Sequence, residues 1–309
     1  METPPPLPSR RSLLLAGLAA GPLAVLAAAC GDDGGGGGSA GGDRTTTTAA
    51  GQAFQLIEVF PRSPSYVAAG AAQRLPYLIA PGVEAPLDHI DGPVTFTVKR
   101  KGQQVGDPVV VEPSGGGELP RSYLPFRFTF PEPDIYDISA EYKGDTMTTA
   151  LQAGPASLVK LPQVGGTLPP VDTPTVEDPR GVDPICTAEQ QCPFHTVNLA
   201  DSLRAGRPVL VLVSTPRFCV SAVCGPVLDV LTGAAKGRSD IDVIHVEPYA
   251  NPMAVDSISE ATPSPLVTAY GMEFEPALFA ANRSGVLVDR LDAIYDRKEL
   301  DGAIASALA

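Results

Sequence analysis

Five cysteines and three histidines hold most of the chemistry open to this 309-residue chain. Four of the cysteines form two close pairs, Cys186/Cys192 and Cys219/Cys224. Close thiols can staple a loop, exchange disulfides or hold a soft metal. Cys219 follows Arg207 to Ser214, a continuous valine-rich apolar run of the kind buried parallel strands show. Thr215-Pro216 interrupts that run. Val220 to Leu231 then reads as a helix, with Val223, Val227, Leu228 and Leu231 at helical spacing. Cys219 is therefore expected where a strand ends and a helix begins, with Cys224 just inside the helix. Unpaired N–H groups at a helix N-terminus stabilise an anion, and thiolate is the nucleophilic form of cysteine.

The second pair sits upstream as Cys186-x5-Cys192, followed by Pro193-Phe194-His195. Two thiols and an imidazole are three zinc ligands, whereas a structural zinc site uses four. In an exported chain the same spacing reads as a structural disulfide of Cys186 with Cys192, pinning the extension before the first strand. No metal and no cofactor are expected. His195 opens the segment His195-Thr196-Val197-Asn198-Leu199 and is expected at the surface or behind a site. His245 falls within Ile241 to Glu247, a second buried strand, and reads as a satisfied core histidine. His89 reads as a solvated loop residue.

Export is legible at the N-terminus. Ser9-Arg10-Arg11-Ser12-Leu13-Leu14-Leu15 opens an apolar run ending Ala27-Ala28-Ala29-Cys30, a basic start and a short apolar stretch closing on small residues. Gly21-Pro22 interrupts the run, which is too short for a comfortable span. The start resembles a twin-arginine export signal and the end resembles a lipobox, which implies lipidation of Cys30. Residues 31–53, rich in Gly and Thr, cannot bury apolar surface and read as a flexible tether. The expected location is the extracytoplasmic face of a membrane, held by the lipid. A net charge of −13 with no basic stripe argues against nucleic acid as a partner.

Residues 54–153 show short alternating runs separated by turn signals: Phe54 to Phe60, Leu75 to Ile79, Pro93 to Lys99, Val109 to Val111, Phe126 to Phe130, Ile135 to Tyr142 and Thr146 to Leu151. About seven such strands suggest an immunoglobulin-like β-sandwich. Asp134-x-Tyr136 looks like its tyrosine corner. Residues 154–183, rich in Pro and Gly, read as a semi-extended linker.

After the thiol pair the order continues with the strand at Ile241, a helical or irregular stretch from Val255 to Tyr270, a strand at Phe274 to Ala280, and a turn at Asn282 to Gly285. Val286 to Leu291 returns as a strand, and Asp296 to Leu308 closes as a helix. This order resembles the thioredoxin-like superfamily across residues 184–309, an α/β domain. Three local matches carry it: Arg207-Pro208-Val209-Leu210-Val211, Pro226-Val227-Leu228-Asp229-x-Leu231 and Glu275-Pro276-Ala277. The last resembles the family's cis-proline loop facing the thiols. The resemblance implies thiol–disulfide exchange with thiols or disulfides of exported proteins, Cys219 attacking, Cys224 resolving and Pro276 shaping the docking groove. The chain departs from the family in two ways. It has no tryptophan, and its thiols have four residues between them rather than two. Three alternatives stay open: a peroxidase, a non-catalytic scaffold in which both disulfides are inert staples, and a copper carrier like the fold's copper-chaperone branch.

Overall fold

The structure is a computed structural model that describes residues 54–117, 119–219 and 221–309. The expected export signal, Cys30 and the expected tether lie outside the described residues. Among the described residues no helix is long and apolar enough to cross a membrane.

The first half is a β-sandwich. Its strands are β1 (Phe54–Glu58), β2 (Ala72–Pro81), β3 (Val94–Arg100), β4 (Gln103–Gln104), β5 (Val109–Val111), β6 (Leu124–Thr129), β7 (Asp134–Tyr142) and β8 (Asp145–Ala153). One sheet runs β1-β2-β6, the other β4-β3-β7-β8 with β5 also on β3. Alternation sets which face is inward: Val94, Phe96 and Val98 are buried while the threonines between them are half-exposed. Between the sheets Phe96 stacks on Phe126 with centroids 4.6 Å apart, and Tyr77 packs 5.7 Å from Phe96. Left-handed turns at Lys101-Gly102 and Lys143-Gly144 reverse the chain, with glycine in the second position, where a side chain would strain the backbone. The Tyr136 hydroxyl donates to the Glu132 carbonyl at 2.7 Å, the geometry of a tyrosine corner.

Residues 154–183 carry almost no regular structure, but they are docked rather than free. Leu161, Leu168, Thr173 and Val182 are buried. The Gly165 amide donates to Leu287 and the Leu168 amide to Gly285.

The second half holds α1 (Leu199–Arg204), β9 (Val209–Val213), α2 (Cys224–Ala235), β10 (Asp242–Val246), α3 (Pro265–Tyr270), β11 (Ala277–Ala281), β12 (Leu287–Asp292) and α4 (Arg297–Leu308). The sheet order is β10-β9-β11-β12, with β10 parallel to β9 and β11 and β12 antiparallel. A parallel first pair joined by a helix, an antiparallel hairpin added on the other side, and a closing helix make the thioredoxin-like arrangement. All five residues of β9 are buried, as a central strand covered on both faces requires. Asp296 caps α4, its carboxylate accepting from the Glu299 amide at 2.9 Å.

Two expectations shift. The helix after the thiol loop begins at Cys224 rather than Val220, because Ala222 takes a left-handed backbone (φ 57°) that a helix cannot continue through. The third strand begins at Ala277 rather than Phe274, beyond the cis bond at Glu275–Pro276.

The two halves meet through buried polar groups. Arg74 on β2 donates to both Glu299 carboxylate oxygens, at 2.7 and 2.5 Å, and to the Asp292 and Ile294 carbonyls. Tyr123 adds a bond to Glu299 at 2.6 Å, and Tyr66 one to Asp292 at 2.5 Å. Burial raises the Glu299 pKa, but the Arg74 charge and its hydrogen bonds outweigh that, so the net shift is downward. A depressed carboxylate contributes stability that is present at neutral pH and is lost as pH falls through its folded pKa. Glu299→Ala leaves Arg74 as an uncompensated buried charge. It is expected to lower unfolding free energy by about 3–5 kcal/mol, read from the urea midpoint at constant slope. A change below about 1 kcal/mol, the value of an exposed pair, would show that this junction carries no such weight.

Candidate functional site

Cys219 and Cys224 are joined as a disulfide, with Cα atoms 6.0 Å apart. They are not equivalent. Cys224 is the first residue of α2 and fully buried, while Cys219 lies in the preceding loop and is half-exposed. The Cys224 amide, one of the donors a helix start leaves unpaired, points at the Cys219 sulfur from 3.3 Å. The Ser221 hydroxyl lies 3.2 Å from the same sulfur. Opening the disulfide at Cys219 would place a thiolate on a helix N-terminus with two donors already in position. Pro226 sits in the first turn of α2, where its missing N–H costs no helical bond.

The Glu275–Pro276 peptide is cis and Pro276 is buried at the start of β11. Ser221, Ala222 and Val223 of the thiol loop and Phe274 and Glu275 of the proline loop line one cavity of about 590 Å³. The β-sandwich supplies the opposite wall through Glu58 to Pro61, Leu78 and Arg121. A predominantly apolar cleft with a few charged groups at its edge is the usual form of a recognition site.

The second pair differs from expectation. Cys186 and Cys192 are free thiols, not a disulfide. Their sulfurs converge with two imidazoles: Cys186 Sγ, Cys192 Sγ, His195 Nε2 and His245 Nδ1 all lie within 4.8 Å of one another. His195, expected at the surface or behind a site, is 1% exposed and one of the four converging groups. The reason is a backbone bond from the His245 amide to the Phe194 carbonyl at 2.9 Å, which lays that segment along β10. His245 is buried, and its Nε2 lies 3.0 Å from the Ser214 carbonyl and 2.9 Å from the Ser214 hydroxyl. The carbonyl can only accept, so Nε2 carries the proton and Nδ1 turns a bare lone pair towards the sulfurs. The two thiols titrate together: the hydrogen bond between them pushes Cys186 down, and that same bond, together with burial, pushes Cys192 up. Next to them Glu247, at the end of β10, is buried, accepts from the Thr187 amide at 2.6 Å, and has its pKa raised by desolvation.

Sequence reasoning missed this tetrad because its fourth member lies 50 residues beyond the third. The available signal was a lone polar ring in the buried run of β10. His89 stands in an exposed loop, 3.4 Å from Asp91.

No protein-family model matches the chain, and no curated protein does. Among solved structures it is similar to the crystal structure of a thioredoxin-like superfamily protein, at 17% identity and TM-score 0.29, over 41% of this chain and 95% of that one. It is also similar to a titin–obscurin-like 1 immunoglobulin complex, at 16% identity and TM-score 0.17, over 29% of this chain and 80% of that one. A PKD domain from a human VPS10 domain-containing receptor matches at 14% identity and TM-score 0.18, over 41% and 96%.

The asymmetry of the joined pair has a direct readout. After gentle reduction, iodoacetamide at neutral pH is expected to alkylate Cys219 at least ~10-fold faster than Cys224, scored by peptide mass mapping. Equal rates, or faster labelling of Cys224, would contradict the geometry.

Proposed function

We propose that this chain is a lipid-anchored, extracytoplasmic thiol–disulfide exchange protein acting on exported proteins. The observation that carries the reading is the Cys224 amide aimed at the sulfur of the more exposed Cys219, at the mouth of α2, on a loop whose Ser221 to Val223 share a cavity with Phe274 and Glu275.

The chemistry follows from those positions. In the reduced form the Cys219 thiolate attacks one sulfur of a partner disulfide. A Cys219–partner bond forms, the partner bond breaks, and the partner's second sulfur leaves as a thiolate that takes a proton from water. The Cys224 thiolate then attacks the Cys219 sulfur. The mixed disulfide breaks, the Cys219–Cys224 bond closes, and two electrons have passed to the partner. Run backwards, the same steps oxidise a partner dithiol. Pro276 has no N–H, so the partner's backbone meets the proline loop through its remaining polar groups. The β-sandwich serves as the far wall of the groove, whose charged lining residues are Glu58, paired with Arg62, and Arg121 on that wall and Glu273 and Glu275 on the other. The export signal and Cys30 at the end of the apolar run support placement at the membrane, the tether holding the groove off its surface.

Cys219→Ser is expected to abolish the protein's acceleration of insulin reduction by dithiothreitol, and Cys224→Ser to accumulate mixed disulfides visible on non-reducing gels. Unchanged turnover in Cys219→Ser would remove the thiol pair from the function. For the anchor, Cys30→Ser is expected to move the chain from the membrane to the soluble fraction. Retention at the membrane would show that another segment holds it.

A further inference from the structure

We infer that Cys186, Cys192, His195 and His245 form a structural zinc site, independent of whether the Cys219/Cys224 pair exchanges disulfides. The four donor atoms mark out a small polyhedron. His245 Nδ1 lies 3.4 Å from His195 Nε2, 3.4 Å from Cys192 Sγ and 3.8 Å from Cys186 Sγ, and Cys192 Sγ lies 3.1 Å from His195 Nε2. Zinc with ordinary Zn–S and Zn–N bonds at tetrahedral angles sets sulfur–nitrogen edges of about 3.6 Å and a nitrogen–nitrogen edge of about 3.3 Å. These four of the six edges scatter around those values, and the other two are no longer than 4.8 Å. Hydrogen bonding alone does not account for the arrangement. The Nδ1 lone pair of His245 is single, yet three groups crowd round it at near-equal distance. One cation at the centre satisfies all four.

The surroundings select the ion. Both histidines are 1% exposed and the cysteines 8–9%, so the site is largely withdrawn from solvent, as structural rather than catalytic zinc sites are. A buried site favours a complex of zero net charge. Two thiolates and two neutral imidazoles around a divalent cation reach zero, whereas copper(I) would leave a buried negative charge. Binding releases the remaining thiol protons to solvent. The Ser214 carbonyl orients the His245 ring from behind, as metal-bound imidazoles usually are.

The ion would also have a mechanical role. It would tie the Cys186–His195 extension to the end of β10. Thr187, next to Cys186, reaches the thiol loop: its hydroxyl lies 3.2 Å from that of Thr215 and accepts from the Arg217 amide at 3.3 Å. The site would therefore brace the base of the loop that carries Cys219.

The full chain, purified with its Cys219–Cys224 disulfide intact and without added metal, is expected to carry one zinc per chain by elemental analysis. After chelation, cobalt(II) should restore one equivalent and give the visible bands of a tetrahedral, thiolate-bound ion. Cys186→Ser and His245→Gln should each lose the ion, and the Cys219→Ser/Cys224→Ser double variant should keep it. If the ligand variants fail to fold, the cobalt spectrum of the unmodified chain reads the same coordination. The inference is overturned by a Cys186–Cys192 disulfide in the purified chain, by two reactive thiols with no metal bound or taken up, by copper(I) in place of zinc, or by loss of metal in the double variant.

Discussion

The parallel pairing of β9 with β10 is the constraint on which the rest depends. Register places His245 beside Leu212 and Val246 beside Val213. The C-terminal ends of both strands therefore open at the same level. From the end of β9 comes the loop that carries Cys219 towards α2. At the end of β10 stand His245 and Glu247. Sites in α/β sheets gather at such carboxyl ends because connections there are free of ladder bonds while the strands beneath stay rigid. Here β9 is buried along its whole length, so the thiol loop leaves a fixed platform. The bond that His245 Nε2 donates to the Ser214 carbonyl joins the two strand ends just beyond that ladder.

From that platform one residue type is put to two uses. Cys219 and Cys224 meet across a helix start, with an amide and a hydroxyl as company, and close into a disulfide. Cys186 and Cys192 meet in a pocket with two imidazoles and stay open. The difference lies in what surrounds the sulfurs. Backbone donors at a partly exposed helix mouth favour a thiolate that partners can reach. Buried imidazole lone pairs favour a shared cation and keep partners away. The β-sandwich faces the thiol loop across one cleft. Arg74, Tyr66 and Tyr123 bind it to β12 and α4 through buried bonds, and that docking builds the second wall of the groove.

Much of this was legible in sequence wherever a local rule dominates. The alternation of Val94, Phe96 and Val98, the Lys-Gly turns and the valine run of β9 each mark their element without help from the rest of the chain. The helix start was misplaced because Ala222 adopts a left-handed backbone that no alanine signals. The six-residue α1 was missed, since its periodicity is too short to register; Asn198, which caps it by accepting from the Ala200 amide, was the available sign. The linker at 154–183 was legible as irregular but not as docked, because its few apolar residues are scattered. The buried tetrad was legible only as three of its members. Its fourth arrives through β-sheet register, a tertiary fact that spacing along the chain does not encode.

The reduction potential of the Cys219–Cys224 disulfide, obtained by equilibrating the full chain against glutathione or dithiothreitol buffers, tests the central claim most directly. An exchange pair with a helix-stabilised thiolate should fall within roughly −270 to −120 mV, the span of thioredoxin-type exchange proteins. A potential below about −300 mV, in the range of structural disulfides, would mark the pair as an inert staple.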